Sequence, residues 1–399
     1  MTRKTMNLPG ILASLLTFIF LSEASAFGAP GFPPKSCEIA VYYFPQWHVD
    51  PWNKQAYKRD WTEWELVQRA QPRFEGHKQP KQPLWGFEME DDPKVMAKKI
   101  EAAATHGVDV FVFDWYWLER GSFLSGALER GFLGAVNRQK LKFAVMWAND
   151  DIQYGRGAVS EDVFVKATDH MIRRYFPQPN YWRVGGALYL SIFRVEKLVE
   201  GLGGVKRTAE VLQRLRERVA GAGLGKLHLN GVQRWNQALD AKRAQYREDS
   251  ATMRRLGFDS VTSYHWIQFQ VIPDFPATSY ARYRDLAVAA MRRLPKLYDL
   301  PYFPVVCMGW DSSPRTPQDK PFERKGYPWE PVLVNNTPAE FRKALEMGKT
   351  CLDNRPGLSR VLFIEAWNEW TEGSYLEPDT EHGFGYLEQI RSVFGHANR

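Results

Sequence analysis

Glu369 and Glu372 stand three residues apart in the run Ala-Trp-Asn-Glu-Trp-Thr-Glu-Gly-Ser-Tyr-Leu-Glu-Pro, residues 366–378, which directly follows the apolar run at 361–364. A β-branched and aromatic run of that kind reads as a buried strand, so both carboxyls fall just past its C-terminal end, among Trp367, Trp370 and Tyr375. Acid/base cleavage of a glycosidic bond needs such a pair, one carboxyl ionised and the other protonated at the same pH. Aromatic plates suit the apolar C–H face of a sugar. An isolated Glu-x-x-Glu is more often a solvated, charged loop; three large aromatics in the same turn weigh against that reading here.

The elements that must hold this pair recur along the chain. Short apolar runs at 39–44, 108–113, 141–146, 187–192, 227–232, 260–263, 303–308 and 362–366 each end in aromatic and polar residues, and helical signals fill the gaps between them. Asp92-Pro93 gives an N-cap and an N1 proline, and Thr337-Pro338-Ala339-Glu340 is a capping box. Segments 160–175, 205–222 and 278–294 also read as helices. Eight strand-then-helix units predict an α/β fold, a (β/α)8 TIM barrel whose site lies on its C-terminal face. A doubly wound open sheet is the alternative, but no Gly-rich phosphate loop follows the first strand. The first connection, 45–91, is long for a βα loop and carries enough aromatics to wall a groove. Candidate substrate contacts therefore sit at the strand ends and in this loop: Tyr43, Gln46, Trp47, His48, Trp64, Asp114, Trp115, Trp147, Asn149, His265, Trp310, Asp311, Trp367 and Asn368.

Composition narrows the class. The chain has 399 residues, 44% hydrophobic and 14% aromatic, enough for one large core. Its net charge of +7 is spread among interleaved acids, as in 214–218, which describes solvated helix faces and excludes a nucleic-acid stripe. Arg3 and Lys4, an apolar stretch from Leu8 to Leu21 and then Ala24-Ser25-Ala26 predict a secretory signal cut after Ala26, with a retained signal anchor as the alternative. No later segment is apolar enough to span a bilayer, so residues 27–399 are expected to form one barrel domain, secreted or periplasmic, with no stable membrane insertion. Carboxylates and histidines are scattered and form no tight ligand motif, so neither a metal nor a cofactor is implied. Three cysteines rule out a disulfide scaffold. In a closed barrel, however, the last strand pairs with the first, which predicts that Cys37 and Cys351 meet on the N-terminal face, as a disulfide or as two buried thiols.

Seven motifs resemble, in order, those of glycoside hydrolase family 99-like proteins, which include endo-acting α-mannosidases and proteins of polysaccharide-biosynthesis clusters called glycosyltransferases. They are Val-Tyr-Tyr-Phe-Pro-Gln-Trp-His (41–48), Trp-Thr-Glu-Trp (61–64), Pro-Arg-Phe-Glu-Gly-His-Lys-Gln-Pro (72–80), Asp-Trp-Tyr-Trp (114–117), Trp-Ala-Asn-Asp (147–150), Gly-Trp-Asp-Ser-Ser-Pro-Arg (309–315) and the 366–378 segment. The resemblance implies that Glu369 is a base on the sugar 2-hydroxyl, whose oxygen attacks the anomeric carbon to give a 1,2-anhydro sugar, and that Glu372 protonates the leaving oxygen. It also implies that Tyr264 lies near the reacting sugar and donates to one of the glutamates. Asp150 departs from the pattern, since many such proteins carry Glu there.

Three functions compete: a secreted retaining hydrolase of α-linked, mannose-containing glycans; a transferase or transglycosylase of polysaccharide assembly; and a sugar-binding protein without catalysis. The leader favours the first, because sugar nucleotides are cytoplasmic in bacteria, and the intact glutamate pair argues against the third.

Overall fold

The computed structural model describes residues 37–233, 250–297, 299–354 and 359–395; the leader predicted at 1–26 lies outside them. Nine parallel strands pair side by side: β1 Glu38–Tyr43, β2 Val110–Leu118, β3 Lys142–Trp147, β4 Ala187–Ile192, β5 Leu227–Val232, β6 Ser260–Thr262, β7 Tyr302–Phe303, β8 Val305–Cys307 and β9 Val361–Glu365. Their spatial order is β7-β6-β5-β4-β3-β2-β1-β9-β8. The two ends of this path, β7 and β8, are consecutive in the chain and separated only by Pro304, so together they form one interrupted strand that brings the sheet round on itself. Proline has no N–H to give to a ladder, which is why pairing switches there from β6 to β9, while the Pro304 carbonyl still accepts from Phe363 N–H at 2.9 Å. The fold is thus a nearly closed TIM barrel. The strands are buried along almost their whole length, as near-continuous Val, Ile, Leu and Phe runs require when both faces of a parallel sheet are covered.

Helices α1 Pro93–Thr105, α2 Glu161–Arg174, α3 Val205–Gly221, α4 Ser250–Leu256, α5 Tyr280–Met291, α6 Pro338–Asp353 and α7 Gly385–Phe394 pack outside the strands. Two start where their caps predict. Asp92 accepts from Lys94 N–H at 2.8 Å ahead of Pro93, and Thr337 accepts from Glu340 N–H ahead of Pro338. No described helix is long and apolar enough to cross a membrane.

The structure departs from the expected pattern in three places. β2 does not end at Phe113 but runs on to Leu118 and turns back as a hairpin with Gly121–Phe123, so the whole Asp114–Trp117 motif lies inside a strand. A π-helical turn, Ala127–Phe132, then stands where the strand-then-helix pattern calls for a helix. Finally, Cys37 and Cys351 form no disulfide: both are free, buried thiols. The last strand does pair with the first, from Glu38 opposite Val361, but Glu38 N–H bonds the Arg360 carbonyl, so the chain beside Cys37 is the lead-in to β9. Cys351 lies further back, in the last turn of α6.

Candidate active site

Beyond β9 the chain makes a miniature hairpin, β10 Asn368–Glu369 against β11 Ser374–Tyr375, around the 3-10 turn Trp370–Glu372. Glu369, which caps this turn, and Glu372, which ends it, both reach the same side chain, Arg315. The turn closes at Gly373 with φ +62°, where an added Cβ would fall 2.7 Å from Asp311 Cβ and 2.9 Å from Asp311 N. Gly373→Ala is therefore expected to cost about 1–3 kcal/mol through combined strain and clash, read as a lowered denaturation midpoint; an unchanged midpoint would show that the loop yields.

The loop after β8 clamps this turn. Asp311 N–H donates to the Glu372 carbonyl at 2.6 Å, and Arg315 reaches across to the side chains. Its guanidinium bonds Glu63 at 2.8 Å, Glu369 at 3.3 Å, Thr371 at 2.9 Å and, through Nη1, both Glu372 Oε1 and the Tyr327 hydroxyl. Tyr327 in turn donates to Glu372 Oε1 at 2.9 Å while the residue as a whole is 54% exposed, making it the solvent-facing member of the cluster. Glu63, beyond β1, also accepts from the Thr371 hydroxyl. Burial works against the charge of Arg315, but Glu63, Tyr327, Glu372 and Glu369 outweigh it and hold the guanidinium protonated.

On the other side, Tyr264, beyond β6, places its hydroxyl 3.0 Å from Glu369 Oε1 and 2.9 Å from Asp114 Oδ2. Burial raises the carboxyls of Asp114, Glu365 and Glu369 well above the ordinary range, and Glu372, when ionised, raises each further. Glu63, Asp114, Glu365, Glu369 and Glu372 are all at most 8% exposed, and among the described residues one guanidinium, that of Arg315, pairs with three of them. Such a site favours positive charge developing on a ligand, as an oxocarbenium-like transition state does.

Of the other sequence candidates, several hold the loops together. Asn368 exchanges two 2.8 Å bonds with the Phe44 backbone, joining the last strand's loop to the first. Asp311 accepts from His77 at 2.8 Å and Gln79 at 2.6 Å. Asn149 brackets the Arg194 backbone through both ends of its amide. Tyr43 and His48 bond Glu90 at 2.8 and 3.3 Å, Trp47 packs at a tilt against Trp64, and Trp367 donates to Glu377. Trp115 donates to Tyr175 at the end of α2, and Trp147 stacks on Phe164 of α2, so both face the helix layer. Gln46 and Trp310 are buried with one polar atom each, Oε1 and Nε1, lacking a protein partner.

His265 lies beneath the pair with Cys307 and Glu365, their ligand-type atoms within 4.8 Å of one another. It is not arranged to hold a cation: Nδ1 accepts from Ile267 N–H at 3.0 Å and Nε2 donates to the Gly309 carbonyl at 3.0 Å, which uses both ring nitrogens. Burial lowers its pKa to about 3, so the ring is neutral.

Arg315, Glu63 and Tyr327 are absent from the sequence candidates. Two carried a signal: Glu63 stands inside Trp-Thr-Glu-Trp, and Arg315 ends the motif at 309–315.

The chain matches the family described as glycosyltransferase WbsX over residues 39–390. It is 30% identical over 370 residues to an uncharacterized protein WxcX of Xanthomonas campestris pv. campestris strain B100, covering 90% of this chain and 50% of that protein, and WxcX of a second strain matches equally. The chain thus spans about half the length of the curated relatives it matches. Among solved structures it is similar to a glycoside hydrolase-like protein, with TM-score 0.62, 16% identity and 93% and 98% of the two chains covered. It is similar also to the GH99 endo-alpha-mannosidase of Bacteroides thetaiotaomicron, with TM-score 0.54, 14% identity and 90% and 95% covered. These likenesses agree with the barrel, and the match over 39–390 takes in every element of the site: the chain belongs to the WbsX glycosyltransferase family.

Proposed function

We propose that the protein is a carbohydrate-active enzyme that cleaves α-linked, mannose-containing glycans with retention, using Glu369 and Glu372 and the sugar's own 2-hydroxyl. The observation that carries this reading is the convergence of both carboxylates on one guanidinium at the barrel's C-terminal end, with Tyr264 on Glu369. Glu369 takes the 2-hydroxyl proton as that oxygen attacks the anomeric carbon. Glu372 gives its proton to the departing oxygen, and a 1,2-anhydro sugar is left. Water then opens it, losing a proton to Glu372 while Glu369 returns the first proton to O2. Arg315 and Tyr327 both donate to Oε1 of Glu372 and so fix how that carboxyl is turned.

The family's description favours a second reading, transfer. A glycan hydroxyl in place of water would use the same first step. A diphosphate-linked donor would bring further negative charge toward five buried carboxyls and one shared guanidinium, so the electrostatics support a glycan donor in either case. The leader expected at 1–26 would put this action outside the cytoplasm, and mature protein beginning at Phe27 is the result that bears it out.

The test is a screen of α-linked glycans, with and without nucleotide sugars, read by mass spectrometry. Products formed without a nucleotide sugar support the proposal; products that require one replace it with transfer, and binding without products replaces it with recognition. On a cleaved substrate, the analogue lacking the 2-hydroxyl is expected to bind and not turn over. Ordinary turnover of that analogue, or an ester trapped on Glu369, would mean double displacement instead.

A further inference from the structure

A phenol has one proton to donate, and Tyr264 faces two carboxyls with it. Its hydroxyl oxygen is 2.9 Å from Asp114 Oδ2 and 3.0 Å from Glu369 Oε1, in a site where all three side chains are buried. Were both carboxyls ionised, one of these contacts would set a charged oxygen against a lone pair in a poorly solvated place, at the cost of an unsatisfied buried charge. One further proton removes the conflict: the carboxyl that carries it donates to the Tyr264 oxygen, and Tyr264 donates to the other.

The surroundings decide which carboxyl that is. Glu369 has Arg315 Nη2 at 3.3 Å, a cation that favours its charged form. Asp114 pairs with no cation among the described residues, and its second oxygen, Oδ1, is buried without a protein partner. The groups facing Asp114 are acids and phenols from every side: Tyr42 on β1, Tyr116 on its own strand, Tyr264 beyond β6, and Glu365, Glu369 and Glu372 from β9 and the hairpin after it.

We propose that Asp114 is a positioning residue for the reaction, a neutral carboxylic acid that donates to the oxygen of Tyr264 and so aims the single Tyr264 proton at Glu369. Glu369 is thereby held as an oriented carboxylate, ready to take a proton from substrate. Burial raises the carboxyl pKa of Asp114 and Glu369 alike, and of the two it is Glu369 that has a cation against it to favour the charged form. The proton's location does not depend on what the substrate is; its use in the reaction rests on Glu369 being the base.

The experiment is infrared difference spectroscopy of the substrate-free protein at neutral pH, wild type minus Asp114→Asn. The expected result is loss of the carbonyl band of a protonated carboxylic acid. Loss of carboxylate bands with the protonated band intact would overturn the proposal whether or not any glycan is cleaved. On a cleaved glycan, the amide introduced by Asp114→Asn still donates to Tyr264, so this variant is expected to keep a kcat at least about tenfold above that of Asp114→Leu. Equal kcat in the two variants with an equally raised KM would instead make Asp114 a plain sugar contact and sink the positioning role.

Discussion

Glu369→Gln and Glu372→Gln are each expected to lower kcat by at least about 100-fold, a loss of about 2.7 kcal/mol in transition-state stabilisation, with glycan binding nearly unchanged. The amide cannot take or give the proton, yet it keeps the shape and the acceptor oxygen. At 372 the carbonyl can still accept from Arg315 and Tyr327, and at 369 it can still accept from Tyr264. Stability should not fall. Burial disfavours an ionised Glu369, and so does Glu372 whenever both carboxyls are ionised, so removing one carboxyl relieves that repulsion and the thermal midpoint is expected to stay or rise. Near wild-type turnover in either variant on a verified substrate would remove the assignment. A midpoint several degrees lower with activity lost would mean that the carboxylates hold the loop and that the chemistry lies elsewhere.

The strands and the glutamate pair were legible because each depends on local chemistry. A β-branched run followed by Trp-Asn-Glu-Trp needs no distant partner to be read as a strand and its loop, and Thr337-Pro338 caps α6 from within its own turn. The aromatics were misplaced for a reason the strand period supplies. With β2 running through Leu118, Asp114 and Trp115 point to opposite faces, Asp114 toward Tyr264 and Trp115 toward Tyr175 at the end of α2. Reading the strand as ending at Phe113 leaves that alternation unused and puts both residues in the cleft. Arg315 was not legible as a hub at all. Its partners Glu63, Glu369 and Glu372 come from the first and last loops, more than 50 residues away in either direction along the chain, and only barrel closure brings them to it.

The same closure explains why a lysine on an outer helix bears on the site. Lys99, on α1, is buried with its ammonium 2.6 Å from Glu377 Oε1 and 3.2 Å from the Tyr43 hydroxyl. Glu377 also accepts from the indole N–H groups of Trp367 at 3.0 Å and Trp370 at 2.7 Å, the residues on either side of Asn368 and Glu369. One cation thus balances the carboxylate that anchors both tryptophans of the hairpin after β9. Replacing only the cation strands that charge in a side chain 4% exposed. Lys99→Met is therefore expected to cost about 3–5 kcal/mol, read from denaturant midpoints, with turnover falling alongside because the hairpin loses its anchor. Adding Glu377→Gln removes the stranded charge while keeping acceptor and donor atoms for the indoles. The double variant should then be more stable than Lys99→Met alone, a coupling of opposite sign to the single loss. A Lys99→Met protein within about 1 kcal/mol of wild type, which is the range of an exposed pair, would show that the ammonium contributes nothing to holding Glu377, and that Trp367 and Trp370 are fixed by packing alone.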